Sequence, residues 1–381
     1  MADADAATAP DKTVTGKPHY EVLDGLRGSA AIMVVLFHIM GMAVGWADTG
    51  QLLHHAAMAV DFFFALSGFV VAYAYDDRWK TMTTGQFFAI RLIRLHPLVI
   101  LGTVLGLLSF LFDPFADNQK TVPIATVLID FALACLLLPY KALPNRWSDT
   151  HSLNSPAWSL LQEYVGNIAY ALVLRRLATW LLGLVVLAAG AILMWRVWGA
   201  NSMDQGSGWD SFWGGPARMA FSFTLGLWLY RIRDRVPKLR LGWIALSVIL
   251  AAAFAAPLVP SSIPHGNGFY EAALVAVLFP LIILSGANSS IGKMEMAACK
   301  VAGRISYPLY ILHFPFLLIY MNFVTFKKPP TTTAYLAGAS AFVIVLALAW
   351  LAVNIYDEPV RKWLKRLTSK RQVYSQPRLE E

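Results

Sequence analysis

The sequence predicts an all-α integral membrane protein of about ten transmembrane helices plus one re-entrant or interfacial segment. Three observations predict it. Hydrophobic residues make up 57% of the 381-residue chain and charged residues only 14%, against about 25% charged in soluble domains. Apolar runs close to the ~20 residues a helix needs to cross a bilayer recur along the chain. Polar stretches bearing Gly or Pro separate them, as at 112–121, 139–156, 199–210 and 259–267. Finally, the Lys and Arg residues behind the net charge of +8 gather in short connections and near the C-terminus. That is the positive-inside pattern of a multi-pass chain, and it argues against a nucleic-acid surface.

The candidate spans, in order, are 22–44, 57–75, 87–111, 122–138, 157–174, 177–198, 211–230, 241–258, 268–286, 305–325 and 333–355. Charge decides the count. Connection 231–240 carries five basic residues and the stretch after Pro359 carries seven, whereas 45–56 and 259–267 contain no Lys or Arg. Placing the basic connections inside works everywhere except between residues 87 and 176, where one of three candidates must not cross. The weakest is 122–138, which begins near Pro123 and contains Asp130. Ten spans with both termini cytoplasmic remain. Residues 1–20 form a polar tail without the apolar core of a cleavable signal peptide, 21–358 form one membrane domain, and 359–381 form a basic cytoplasmic tail. The 13 Trp and 14 Tyr suit the two membrane interfaces. There is no internal repeat, and Cys135 and Cys299 suggest neither a disulfide nor a metal site.

Ionisable residues inside apolar helices are costly and point to function, although many only pair to hold a bundle together. The first span reads EVLDGLRGSAAIMVVLFHIM. At ~100° per residue, the step from Arg27 to His38 returns to within about 20° of one face and advances about 16 Å. Asp24 shares that face. A neutral imidazole is suited to taking a proton, while a lone histidine also serves as a hydrogen-bonded core residue. The second span carries Asp61 and then Ser67-Gly68, where Ser-Gly in an apolar helix usually marks close packing. The third places Arg91 and Arg94 three residues apart, before His96 and Pro97. Their guanidinium forks suit phosphate or carboxylate, and simple anchoring at the inner face is the alternative. Glu163 follows Trp158 in the fifth candidate, and Arg304, Ser306, Tyr307 and His313 lie together near the tenth. Asp357, Glu358 and Pro359 read as a helix stop. His54, His55, His151 and His265 fall in connections without ligand spacing, so no metal site is expected.

Together, LDGLRG, the Arg27–His38 pair, VDFFFALSGF, RLIRLHP, PAWSLLQE, ISYPLYILHFP and the terminal Tyr-Asp-Glu-Pro resemble the acyltransferase-3 family of bacterial membrane O-acyltransferases. The motifs occur in order over most of residues 21–359. One departure stands out: the family often has two adjacent acidic residues after Trp-Ser-Leu, and here Glu163 is followed by Tyr164. The resemblance implies a ten-helix membrane fold in the bacterial inner membrane. It also implies transfer of an acyl group, usually acetyl from acetyl-CoA, to a hydroxyl of an envelope or exported carbohydrate, with an essential Arg27 and His38.

Residue chemistry and resemblance lead to one expectation. His38 acts as general base for the acceptor hydroxyl, or as first acceptor of the acyl group. Arg27, Arg91 and Arg94 hold the polyanionic acyl-CoA from the cytoplasmic side, and Glu163 and Asp24 orient or charge-balance these groups. The partners expected are a carbohydrate acceptor, acyl-CoA as donor substrate and membrane lipid, with no nucleic acid and no permanently bound cofactor. The rival reading is a transporter or flippase of a polar or lipid-linked sugar, which also needs charges near the midplane.

Overall fold

A computed structural model describes residues 19–44, 50–141, 143 and 146–374. The described residues are helical, without strands beyond two isolated bridges, Tyr140 with His151 and Asp149 with Gly208. In chain order the helices are α1 (Glu21–Val44), α2 (Ala59–Tyr75), α3 (Thr84–Leu111), the single turn α4 (Asn118–Thr121), α5 (Ile124–Cys135), α6 (Ala157–Leu172) and α7 (Thr179–Ala200). There follow α8 (Gly214–Ile232), α9 (Trp243–Phe254), α10 (Gly266–Ala273), α11 (Phe279–Asn288), α12 (Lys293–Lys327), α13 (Thr331–Leu351) and α14 (Glu358–Tyr374).

Seven of the described helical stretches are long and apolar enough to cross a membrane. They are α1, α2 with its short lead-in, α3, α7, α10 running into α11, α12, and α13 running into α14. The expected total of about ten also counts α6, α8 and α9. Two of these are the polar heart of the bundle: α6 carries Gln162, Glu163 and Asn167, and α8 carries Arg218, Ser222 and Thr224. α9 and α5 have 12 residues each, about 18 Å of helix against a hydrocarbon core of ~30 Å. The outer faces of α7 and α13 expose Leu184, Leu187, Ile192, Leu336 and Val343, as a lipid-facing surface requires.

Two helix ends differ from expectation. Residues 293–304, read from sequence as part of a basic connection, form the first three turns of α12, which runs for 35 residues. Pro359 does not stop its helix either. The chain widens into a π turn at Ala352–Asp357 and continues as α14. Proline lacks the N–H that an α turn requires, and a π turn is one way for a helix to accommodate such a break in its ladder.

Small residues set the central crossings. A methyl group on Gly28 of α1 would stand 2.6 Å from the Ala302 backbone of α12, and one on Gly303 would meet Asp24 at 2.6 Å. Gly68 of α2 and Gly226 of α8 abut the opposite backbone even more closely, at Phe223 and Ala65 respectively. Without an apolar drive between helices in lipid, such close approach is what holds a bundle together. It also brings polar groups on α1, α2, α6, α8 and α12 within reach of one another.

Candidate active site

The N-terminal ends of α1 and α12 open onto a cavity of about 550 Å³. Seven Lys and Arg side chains line it against three carboxylates. Asp24 and Arg27 come from α1, Arg91 and Arg94 from α3, Glu163 from α6, and Lys300 and Arg304 from α12. Asp357, Arg361 and Lys365 come from the π turn and α14. The sequence-predicted residues Asp24, Arg27, Arg91, Arg94 and Glu163 are therefore brought together.

Their contacts differ. Arg27 Nε donates to Ser306 Oγ at 2.9 Å, and its Nη2 pairs with Asp24 Oδ1 at 2.8 Å. Asp24 Oδ2 in turn meets His19 Nε2 at 2.6 Å. Glu163 Oε1 accepts from Arg91 Nη2 at 2.7 Å and from Ser67 Oγ at 2.9 Å. Ser67 is thus a ligand of the Glu163 carboxylate, while Gly68 beside it makes the close packing the sequence suggested. Arg94 is exposed to the cavity and has no ion-pair or hydrogen-bond partner among the described residues. Tyr164, which follows Glu163, faces His96 Nδ1 through its hydroxyl at 3.4 Å. It supplies a neutral group and no negative charge.

His38 is not in this cavity. It lines a second one, of about 320 Å³, toward the other end of α1, with Phe37, Trp147, Asp149, Ser155, Trp158, Asp204, Ser207 and Phe314. Its Nδ1 lies 2.7 Å from the Val34 carbonyl. A carbonyl only accepts, so Nδ1 carries the hydrogen, and in the neutral ring the lone pair is on Nε2. The nearest histidine is His313 of α12, with Nε2 3.4 Å from His38 Nδ1. Rings of Phe314 and His313 flank the imidazole at 5.3 and 5.1 Å. Asp24 and Glu163, expected from sequence to orient or balance the histidine and the arginines, pair with Arg27 and Arg91 and do not line the His38 cavity. Val60 and Tyr310 line both cavities, and the Tyr310 hydroxyl is fixed by Ser159 Oγ at 2.8 Å.

Several residues of the site escaped sequence reasoning. Trp147, Asp149, Asp204 and Ser207 sit in irregular connections, where no periodicity marks them. Lys300, Arg361 and Lys365 looked like ordinary inner-face anchors. Arg218 had a signal, an arginine inside an apolar run, and it forms a buried fork with Asp61 at 2.7 Å. The same guanidinium donates to the carbonyls of Gln205 at 2.7 Å and Ala57 at 3.0 Å, tying the 201–213 connection to the start of α2. His55, left in a connection by the sequence reading, is buried against Glu271 at 3.0 Å. Among the described residues no three His, Cys, Asp or Glu side chains converge as metal ligands.

Comparison with known proteins identifies the family. Residues 20–353 match the profile of the acyltransferase-3 family, described as an acyltransferase domain. Protein 2 in the picA locus of Rhizobium radiobacter is 33% identical over 182 residues, 45% of this chain and 91% of that protein. Peptidoglycan O-acetyltransferase OatA of Listeria monocytogenes is 24% identical over 89% of this chain, which spans 55% of that relative's length. Acyltransferase MdmB of Streptomyces mycarofaciens is 27% identical over 77% of both chains. No solved structure shows a significant match. The family match separates an enzyme from a transporter, which the intramembrane charges alone did not: the chain belongs to the acyltransferase-3 family and is an O-acyltransferase.

Proposed function

We propose that this enzyme moves an acyl group, acetyl in the simplest case, from a CoA thioester in the basic cavity to a carbohydrate hydroxyl in the His38 cavity. The observation that carries the reading is the pair of cavities reaching Val60 and Tyr310 from opposite ends of α1. One presents the unpaired Arg94 among basic side chains. The other presents an imidazole among aromatic rings. Guanidinium forks suit the phosphates of a CoA, and the apolar wall with Phe63, Phe64 and Val71 suits the arm leading to its thioester. The relatives' names supply the acceptor class, since one acetylates peptidoglycan.

In this reading His38 Nε2 takes the hydroxyl proton as the acceptor oxygen bonds to the acyl carbon. The C–S bond breaks, the thiolate leaves, and the proton returns from His38 to the sulfur. Arg27, Arg91 and Arg94 bind the donor. Glu163 holds Arg91, and Asp24 holds Arg27. α6, α8 and α9 complete ten spans, with α5 re-entrant or interfacial. Both termini lie in the cytoplasm of a bacterium whose inner membrane holds the protein, so donor and acceptor meet from opposite sides.

Purified protein in liposomes, given acetyl-CoA and an oligosaccharide on the opposite faces, should release free CoA thiol and form a saccharide ester. Thiol release that requires both substrates on the same face would remove the two-sided arrangement. A reporter active only in the cytoplasm should work within 231–240 and fail within 259–267.

A further inference from the structure

The cavity at the His38 end has a chemical character of its own. Trp147 presents a ring that is 48% exposed, 6.3 Å from Phe314. Among the described residues the charged side chains on its wall are Asp149 and Asp204, with no Lys or Arg beside them. Two arginines lie behind the carboxylates, Arg146 and Arg218, each 1% exposed and neither on the wall. Arg218 is engaged by Asp61 at 2.7 Å and its Nη1 also lies 3.9 Å from Asp204 Oδ1, leaving Asp149 the less compensated of the two wall carboxylates. An incoming ligand thus meets aromatic faces, two carboxylates, the hydroxyls of Ser155 and Ser207, and an imidazole.

The wall is held in place. Asp149 bridges to Gly208, the Thr150 N–H and hydroxyl both donate to the Ser207 carbonyl at 2.8 and 2.9 Å, and the Trp209 N–H donates to the Ser148 carbonyl at 3.2 Å. His151 Nε2 reaches the Leu137 carbonyl at 3.2 Å. These bonds join the connection before α6 to the one before α8. Trp147 and Asp149 therefore stand on a braced ledge facing His38.

We infer that this cavity is an acceptor subsite for neutral or amino sugars and that it discriminates against sugar acids. The apolar face of a pyranose lies against Trp147, and its hydroxyl or ammonium groups donate to Asp149 and Asp204. Carboxylates accept such bonds strongly. A uronate's own carboxylate adds negative charge beside Asp149 and Asp204, where no Lys or Arg among the described residues lines the wall to receive it, and like-charge juxtaposition suppresses such partners. The inference rests on the proposed transfer to carbohydrate and adds the class of sugar.

The test uses full-length enzyme in detergent with acetyl-CoA and three acceptors of equal length: chitotetraose, its fully deacetylated form and tetragalacturonate. The expected result is a kcat/KM for the first two at least about tenfold above that for tetragalacturonate. The Asp149→Asn, Asp204→Asn double variant should bring tetragalacturonate to within about threefold of chitotetraose, chiefly by improving use of the acid. Trp147→Ala should raise the KM for chitotetraose about tenfold with a smaller effect on kcat, and Trp147→Phe should restore most of the loss. Wild-type enzyme that uses tetragalacturonate as well as chitotetraose overturns the inference and leaves the transfer reading standing. A Trp147→Ala variant with unchanged KM overturns it as well. Failure of all three saccharides, with acetyl-CoA still consumed and another hydroxyl compound acetylated, removes the carbohydrate reading itself and this inference with it.

Discussion

His313 Nε2 lies 3.4 Å from His38 Nδ1, and each ring gives its own Nδ1 to a carbonyl of its own helix. Two imidazoles this close cannot both carry a proton's charge without repulsion in a low-dielectric setting. A general base needs the neutral form of His38. His38→Gln is expected to lower acyl transfer by at least about two orders of magnitude with the protein still inserted and abundant. His313→Gln, which keeps a hydrogen-bonding group at that place, is expected to cost less. In the wild type the rate should fall on the acid side as the imidazole protonates. Initial rates per recovered protein, measured across pH, decide this, and near wild-type transfer by His38→Gln would leave His38 a core residue.

Arg91 and Arg94 stand one turn apart yet should respond differently. Arg94 has no partner to abandon, so Arg94→Ala should keep the thermal stability of the wild type and raise the KM for acyl-CoA more than that for the acceptor. Arg91→Ala strands Glu163, which loses a charge-assisted bond of 2.7 Å, so it should lower stability as well as donor affinity. Lys at position 94 should recover only part of the effect, because a point charge replaces a fork. Equal donor kinetics in wild type and Arg94→Ala would return Arg94 to membrane anchoring.

The α2–α8 crossing makes a prediction about stability alone. A methyl group at Gly226 would run into the Ala65 carbonyl, whereas Gly199 has nothing within 4 Å. Gly226→Ala should cost about 1–3 kcal/mol through overpacking. Gly199→Ala should be neutral or stabilising by up to about 1 kcal/mol. Thermal unfolding in one detergent, compared for the two variants, reads the difference. Equal Tm values would mean the helices can separate without loss.

Asp149 ties acceptor choice to pH. It lies in the connection before α6, and burial pushes its carboxyl up to about 6, against the opposing pull of Ser155 and Arg146 and with some help from Asp204. Its negative charge is present above that pH and is lost as the pH falls through it. A sugar carboxylate stays ionised over the same interval. The kcat/KM for tetragalacturonate relative to chitotetraose should therefore be larger near pH ~5 than near pH ~8. Asp149→Asn should flatten that dependence. Taking the ratio of two acceptors cancels the common titration of His38.

What the sequence determined alone is what depends on local composition and on contacts within one helix. Apolar runs and the distribution of Lys and Arg made the helical membrane class legible, because a bilayer demands both of any segment that crosses it. The face shared by Arg27 and His38 followed from helical periodicity, and in the structure both side chains reach α12. The arginines at 91 and 94 and Glu163 were legible as costly charges in apolar surroundings. Tertiary structure decided which of these meet. Glu163 pairs with Arg91 across 72 residues and Arg27 bonds Ser306 across 279, separations that no periodicity encodes. It also placed His38 in a different cavity from the arginines, because 11 residues of helix carry it about 16 Å along the axis. Trp147, Asp149 and Asp204 were invisible in advance, since they belong to irregular connections whose backbone is set by bonds to each other and to α8. A helix advertises its face by repetition, while a connection acquires one only when the bundle around it is assembled.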